Sequence, residues 1–525
     1  MTGKASNLWR WRAGVAVGLT CVAAMVLTAC GTEDSASADQ RKNGRLAGLK
    51  VNTPAEIAQV SAVDYDENEN GLITANTLRR WIADWELNRP AGIKGKLVIL
   101  QLTPGPAGAE FIKSNKTNVF TYHVPSGNDV TGWWTQTRDN GVIETTQMVP
   151  DGPKMDALLQ AHDIDPQNDM IVCAMGTGST SNAMAQGRCW YALRYWGVDA
   201  KNLAALNGGN QYLAAGDAEQ TAWPAELFMP SPDVPSYKGT ASVRDLKVDN
   251  TALQATLDDM MAILTEEDRN NTEDGVFLWD ARNLSQYSAG QRMENGENTG
   301  TTTCADPYCD PEGTYDYMNS FQNNGSKQGH PNGALQLQFT RLLDATKGFA
   351  YRPKAELEAY MQGETVNGIG FLDGTYAPVG PGQAYQAGDV VYTYCETTFR
   401  AMITGFASAA ILGYPTRFYD GAMVEWNSLS HKQTRTASVN GDYLLPVGSP
   451  WRTDLSSRSF FRYADDAAPN IAVRNVTNAY AATADAVILA DKAYKDPAPA
   501  GNAGGAEDAG SGGGSIGLPP NPCGG

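Results

Sequence analysis

Cys395 and Arg400 are the residues whose types and spacing most directly indicate chemistry. Cys395 follows the apolar run Val390–Tyr394 and opens the segment Cys395-Glu396-Thr397-Thr398-Phe399-Arg400, and a helical pattern begins at Ala401. A thiol between the end of a strand and the start of a helix meets backbone N–H groups and the positive end of the helix dipole. We therefore expect this thiol to ionise more readily than an ordinary cysteine and to act as a nucleophile.

The segments around this loop predict the elements that position it. Residues 401–412 are largely apolar and end at Gly413, and a short strand pattern at 417–419 follows before Asp420 and Gly421. Strand, loop, helix and strand in this order build a parallel sheet through a right-handed crossover. Ligands bind at the carboxyl ends of such strands, which is where Cys395 lies.

Four segments carry a family resemblance. They are Trp279-Asp280-Ala281-Arg282, Gly329-His330-Pro331-Asn332-Gly333-Ala334, the cysteine loop, and Tyr419-Asp420-Gly421-Ala422-Met423-Val424-Glu425-Trp426. In this order and at this spacing they resemble the rhodaneses, or thiosulfate sulfurtransferases, of the tandem two-domain kind. The resemblance implies an α/β fold with two rhodanese-like domains, each a parallel sheet with helices on both faces.

An internal repeat extends this resemblance toward the N-terminus. Gly197 and Gly413 lie 216 positions apart, and Gly208 and Gly421 lie 213 apart, so two copies of one domain run nearly in register. The predicted organisation is a signal peptide at 1–29, a flexible tether at 30–60, a first domain at 61–235, a second domain at 250–495 with an insertion at about 290–329, and a disordered Gly/Pro-rich tail at 497–525. We refer to residues 61–235 and 250–495 as the first and second repeat.

The first repeat lacks the pattern that makes Cys395 a candidate nucleophile. Its loop runs from Cys173 to Arg188 and has no arginine five positions after a cysteine. Cys173 is either a buried residue at the end of a strand, which we favour because cysteines are often buried, or a displaced relative of the reactive thiol. The resemblance implies an inactive N-terminal domain that supplies one wall of the cleft.

The resemblance also implies a mechanism and roles for the residues around Cys395. The Cys395 thiolate attacks the outer sulfur of a donor such as thiosulfate, and a thiol or cyanide then accepts the sulfur from the persulfide. Arg400 stabilises thiolate and persulfide charge, and Arg282 holds the anionic donor, unless it serves only as a salt-bridge partner. The loop residues expected to contact the donor are Glu396, Thr397, Thr398 and Phe399. Asp280 and His330 are expected to support the site. No cofactor or metal is expected.

Glu396 departs from the family pattern. Members that use thiosulfate commonly carry basic residues directly after the cysteine, whereas a carboxylate repels a dianion and opposes thiolate formation. A persulfide or polysulfide donor is the alternative to thiosulfate.

Two other functions remain open. Glu396 favours a non-catalytic, rhodanese-like envelope lipoprotein that acts as an accessory or chalcogen-binding scaffold. A phosphatase of related fold has five residues between its cysteine and arginine, whereas this chain has four, so that function ranks last.

The N-terminus predicts export and lipidation. Three basic residues precede the apolar stretch 13–27, and Leu27-Thr28-Ala29-Cys30 resembles a bacterial lipobox in which Cys30 is lipidated. We expect a lipid-anchored protein of the cell envelope, at the outer membrane or facing the periplasm if the host is Gram-negative. An ordinary secretory signal or a short anchor is the alternative.

Charge and the remaining cysteines limit the partners. The net charge of −18 argues against nucleic acid. Outside the cytoplasm, a local disulfide is the favoured role of Cys304 and Cys309, with metal binding as the alternative. Residues 66–77 resemble half of a calcium loop but end in Thr77 where a bidentate Glu is needed, so a helix-capping loop is favoured.

Overall fold

The computed structural model describes most of both repeats. The described residues are 49–127, 131–288, 328–430, 451, 453, 456–460, 477–478 and 483–497. Within them, no helix is long and apolar enough to cross a membrane.

The first repeat contains a five-stranded parallel sheet. Its strands, in chain order, are β2 (Gly71–Ile73), β3 (Leu97–Gln101), β5 (Val119–His123), β8 (Met170–Ala174) and β9 (Leu203–Leu206). In space they are ordered β2-β9-β8-β3-β5, with every neighbouring pair parallel. Parallel neighbours need crossover connections. The helix Thr180–Tyr195 supplies the one between β8 and β9, whereas the described connection between β3 and β5 contains the short strand Phe111–Ile112 and no helix.

The second repeat contains a sheet of the same topology. Its strands are β12 (Gln254–Ala255), β13 (Val276–Asp280), β15 (Leu335–Gln336), β18 (Val390–Tyr394) and β19 (Thr416–Tyr419). Their spatial order, β12-β19-β18-β13-β15, is also parallel throughout and repeats the first sheet strand for strand. The predicted α/β fold with two parallel sheets is confirmed.

Short strands and helices complete the described part of the chain. The other strands are β1 (Lys50–Val51), β4 (Phe111–Ile112), β6 (Gln136–Asp139), β7 (Glu144–Met148), β10 (Phe228–Met229), β11 (Val248–Asp249), β14 (Gln328–Pro331), β16 (Leu343–Asp344), β17 (Ala350–Tyr351) and β20 (Ser457–Phe460). The helices are α1 (Pro54–Ile57), α2 (Ala75–Ala83), α3 (Trp85–Asn88), α4 (Gly152–Ala161), α5 (Thr180–Tyr195), α6 (Asn210–Ala215), α7 (Leu257–Ala262), α8 (Leu284–Tyr287), α9 (Lys354–Met361), α10 (Ala401–Phe406), α11 (Ala422–Ser430) and α12 (Ala486–Lys495).

Successive side chains of a strand point to opposite faces of the sheet, and both faces of each sheet are buried. In β3, Val98 and Leu100 belong to a central apolar cluster, whereas Leu97 and Ile99 belong to an outer one. The central cluster is shared, since it also contains residues of the second sheet such as Trp279. The outer faces are covered by separate apolar clusters, and the cluster on the second sheet also contains Val142 and Ile143 of the first repeat.

Helices α5 and α10 cross inside this shared cluster. Gly187 of α5 allows the close approach, because a Cβ atom there would lie 2.7 Å from the carbonyl oxygen of Met402 in α10. Helix α10 begins at Ala401 as predicted and continues as a π-helical turn over Ala407–Ile411. Helix α5 follows β8 and helix α10 follows β18, and these two strands hold the same position in their sheets. The repeats therefore meet through equivalent elements.

Residues 50–57, which fall within the predicted tether, instead form ordered structure. Strand β1 pairs in parallel with β11. Helix α1 starts with a capping box between Thr53 and Glu56 and buries Ile57, which explains why this stretch packs.

Candidate functional site

Strand register places Cys395 at the carboxyl edge of the second sheet. Tyr394, the last residue of β18, pairs with Asp280, just as Ala174, the last residue of β8, pairs with Gln101. Cys395 therefore corresponds to Met175 in the first repeat. Cys173 lies two positions earlier, at the equivalent of Thr393, so it is not a displaced relative of Cys395.

The Cys395 side chain is 0% exposed and belongs to the shared apolar cluster. The other residues of its loop are buried as well: Glu396, Thr397, Thr398, Phe399 and Arg400. The sequence predicts a thiol at the ligand-binding ends of the strands, and its burial was not predicted. The loop is covered because it packs against the first repeat, where Phe399 lies beside Arg188. The predicted ring of backbone N–H groups around the sulfur stays a prediction.

Hydrogen bonds to the segment after β19 hold the loop. The N–H groups of Met423 and Val424 donate to the carbonyl oxygens of Cys395 and Glu396, both at 3.1 Å. The Thr398 hydroxyl donates to the carbonyl oxygens of Tyr419 and Asp420, at 2.9 and 3.0 Å. These bonds stabilise Thr398 in a left-handed conformation (φ +68°), which a β-branched residue rarely adopts.

Arg282 lies between two carboxylates in a fully buried charge cluster. Its Nη2 is 2.6 Å and its Nε 3.0 Å from the Asp280 carboxylate, while its Nη1 is 3.6 Å from Glu396 Oε2. Burial alone would lower the pKa of Arg282, but the adjacent Asp280 charge outweighs it and keeps this pKa above its usual value. The structure thus brings three predicted site residues together and gives Glu396 a cationic neighbour.

Tyr394 extends this cluster from the strand that precedes Cys395. Its hydroxyl donates to Asp280 Oδ2 at 2.9 Å. Burial, with the Asp280 charge, raises the pKa of Tyr394 well above its usual value, so the phenol stays protonated and remains a donor.

Arg400 reaches back to the strand–helix connection that carries Arg282. Its Nη1 donates to Gln286 Oε1 at 2.7 Å, and Gln286 is itself buried in α8. No sequence motif pointed to Gln286. Its position four residues after Arg282, at the start of a helix beside the same sheet edge, is the only signal that the sequence offered.

His330 packs as a structural residue. Its ring stacks on Tyr287 with centroids 3.6 Å apart, its Nδ1 lies 2.8 Å from the Tyr287 carbonyl oxygen, and its Nε2 lies 3.0 Å from an Asp268 oxygen. Both ring nitrogens thus face acceptors within the protein, and the supporting role of His330 stays a prediction.

Cys173 forms a disulfide with Cys189, and the sequence analysis did not foresee it. The bond joins the C-terminal part of β8 to helix α5 across a sequence separation of 16, and both residues are fully buried. The available signal was a strand cysteine followed by a helix cysteine in a chain whose N-terminus predicts export.

Other predicted sites divide between described and undescribed residues. Cys30, Cys304 and Cys309 lie outside the described residues. At 66–77, both oxygens of the Asp66 carboxylate accept hydrogen bonds, from Thr74 and Asn76, and Thr74 caps α2, as expected of a helix-capping loop. Across the part of the chain that the structure describes, no group of three or more His, Cys, Asp or Glu side chains is arranged to hold a metal ion.

Comparisons with known proteins give only distant likenesses. No family model and no curated protein matches the chain. Among solved structures, the Tum1 protein from Saccharomyces cerevisiae is 15% identical with a TM-score of 0.38, over 68% of this chain and 95% of that one.

Two further solved structures are similar at the same level. The anaerobic ergothioneine biosynthesis enzyme from Chlorobium limicola is 13% identical (TM-score 0.39) over 69% of this chain and 68% of that one. SseA from Escherichia coli, a 3-mercaptopyruvate sulfotransferase, is 15% identical (TM-score 0.35) over 67% and 98%. Because these TM-scores are low, the fold assignment rests on the strand order and register of the two sheets.

Proposed function

We propose that this protein is a sulfurtransferase that carries sulfane sulfur as a persulfide on Cys395. The thiolate attacks the outer sulfur of the donor, the donor's S–S bond breaks, and the electron pair leaves with the inner sulfur group. A nucleophilic acceptor, a thiol or cyanide, then attacks the outer sulfur of the persulfide and returns Cys395 to the thiolate.

One observation carries this proposal. Cys395 follows the last residue of the central strand β18 at the carboxyl edge of its sheet, whereas the equivalent position of the first repeat holds Met175. Ligands bind at this edge of a parallel sheet. Cys395 is followed there by a loop that is hydrogen-bonded to the segment after β19, and then by the start of a helix. The asymmetry between the repeats supports one reactive half and one supporting half.

The charge cluster favours a persulfide or polysulfide donor over thiosulfate. Arg282, the cation that the family resemblance assigns to the donor, lies against Asp280 and within 3.6 Å of Glu396. Two carboxylates beside one guanidinium give this cluster no excess positive charge, so a dianion gains little attraction there. A donor with a single negative charge or none meets less repulsion.

The Cys395→Ser variant tests the function. Wild-type protein incubated with polysulfide and then freed of excess donor is expected to gain the mass of one sulfur atom, and the variant is expected to gain none. Intact-mass spectrometry measures this, with release of the sulfur by cyanide as confirmation. The proposal fails if wild type gains no mass from polysulfide, a small-molecule persulfide or thiosulfate.

The Glu396→Gln variant tests donor choice. Removing the carboxylate changes the cluster of Asp280, Arg282 and Glu396 from net negative to neutral and so lowers repulsion of an anionic donor. Loading from thiosulfate is expected to rise about 10-fold, which corresponds to about 1.4 kcal/mol. Loading from a neutral persulfide is expected to change less. Glu267→Gln, at an exposed ion pair with Arg269, serves as the control. Equal changes for both donors would contradict a charge-based preference.

A second candidate, a non-catalytic envelope lipoprotein that acts as an accessory or chalcogen-binding scaffold, is favoured by one observation. The Cys395 side chain is fully buried, so a donor reaches it only after the loop moves. Failure of sulfur uptake by folded wild-type protein is the result expected from this candidate.

We place the protein in the cell envelope, anchored through lipidated Cys30. The lipobox supports this location, and so does the buried Cys173–Cys189 disulfide, since such bonds persist in oxidising compartments. Cys30→Ser is expected to move the protein from the membrane fraction to the soluble fraction of the expressing cells. Unchanged membrane association of that variant would contradict lipid anchoring.

A further inference from the structure

Asp420 connects the loop of Cys395 to the first repeat. It follows β19 directly, is buried, and its backbone carbonyl accepts the hydroxyl hydrogen of Thr398. Its side chain bonds to the first repeat, where Oδ2 accepts a hydrogen bond from the N–H of Val149 at 2.6 Å. One residue thus contacts both the loop and the opposite repeat.

Arg188 of helix α5 fixes the Asp420 carboxylate. Its Nη1 and Nη2 lie 2.5 and 3.2 Å from the two carboxylate oxygens, and both side chains are fully buried. The same guanidinium donates to the carbonyl oxygens of Trp134 and Gln147, at 3.2 and 2.6 Å. Bidentate pairing with two further acceptors allows this arginine essentially one orientation.

Arg188 also contacts the loop of Cys395 from the side. Its guanidinium carbon lies 5.9 Å from the centre of the Phe399 ring, within the range of a cation–π contact. Phe399 is adjacent to Thr398, whose left-handed backbone depends on the bonds to Tyr419 and Asp420. The loop is therefore held at two neighbouring residues by groups that Arg188 positions.

We infer that Arg188 is a positioning residue for the reaction of Cys395, acting through Asp420 and Thr398. This inference rests on the proposed function and deepens it, because it assigns a task to the repeat that lacks a thiol. The first repeat supplies the guanidinium that keeps the Cys395 loop in its strained conformation. A loop freed from this support moves its backbone N–H groups relative to the sulfur.

Arg188→Lys is the main test. A lysine ammonium cannot pair with both Asp420 oxygens and two carbonyls at once, so sulfur loading from polysulfide is expected to slow by about 10- to 100-fold. The pH midpoint for alkylation of Cys395, followed by mass spectrometry of its peptide in the full chain, is expected to rise.

Arg138→Lys is the matched control. Arg138 forms a bidentate, largely buried pair with Asp491 of α12 at 2.8 and 2.7 Å. It also donates to the Val149 carbonyl oxygen at 3.3 Å, so its replacement disturbs the same region while the Arg188–Asp420 pair is kept. This variant is expected to lose stability but to keep the wild-type loading rate and alkylation midpoint. A merely structural role of Arg188 predicts the same behaviour for Arg188→Lys, and that result would overturn the inference.

Thr398→Val tests the last link without disturbing a buried charge. It is expected to raise the alkylation midpoint in the same direction, and Arg188→Lys/Thr398→Val is expected to have less than the sum of the two effects. Fully additive effects would show that the residues act separately and would contradict the inference. If wild type takes up no sulfur, the proposed function fails, and the alkylation midpoints alone then decide whether Arg188 positions the loop.

Discussion

Asp280→Ala is expected to destabilise the folded protein by about 3–5 kcal/mol, because it leaves the buried Arg282 charge without its closest partner. The Asp280 carboxylate accepts from the backbone N–H, Nε and Nη2 of Arg282 and from the Tyr394 hydroxyl. Glu396, at 3.6 Å, is too distant to replace these bonds. Urea unfolding monitored by circular dichroism measures the loss in free energy.

Glu267→Ala provides the comparison for this variant. Glu267 and Arg269 also form an ion pair at 2.6 Å between residues two positions apart, but both side chains are about 70% exposed. An exposed pair contributes about 0–1 kcal/mol, so this variant is expected to unfold close to wild type. A loss for Asp280→Ala no greater than that for Glu267→Ala would show that the buried pair does not hold Arg282.

Removal of the Cys173–Cys189 disulfide has the second large expected effect on stability. The variant Cys173→Ala/Cys189→Ala is expected to lose about 3 kcal/mol, the typical contribution of a crosslink that closes a loop of this length. Alanine avoids placing a hydroxyl group in the apolar cluster. Denaturant midpoints under non-reducing conditions measure the change.

The second repeat offers the control at the equivalent place. There Thr393 of β18 and Thr404 of α10 form a hydrogen bond at 2.6 Å between strand and helix. Replacing both by Val removes both polar partners together and is expected to cost less than the disulfide variant. Sulfur loading per folded molecule is expected to survive loss of the disulfide. If wild-type protein is denatured without reduction and both Cys173 and Cys189 then react as free thiols, the bond itself is contradicted.

The fold could be predicted from the sequence because its signals are local or repeated. The apolar run 390–394 and the helix start at Ala401 are local signals of a strand and a helix, and the glycine spacing reveals the repeat. The extent of the tether could not be predicted, since the packing of residues 50–57 depends on pairing with β11, almost 200 positions away.

The candidate site was predicted in part, for a physical reason that concerns distance along the chain. Asp280, Arg282 and Glu396 were identified from motifs, and the structure brings them together. The contacts of Gln286 with Arg400 and of Arg188 with Asp420 could not be predicted, because they are tertiary contacts that no local pattern encodes. The burial of Cys395 was missed because the sequence does not show how closely two repeats approach.

The shared apolar cluster between the sheets has a consequence for producing the repeats separately. The inner face of each sheet is covered by the other repeat, so cutting the chain between them would expose a wide apolar surface to water. Either repeat expressed alone is therefore expected to aggregate.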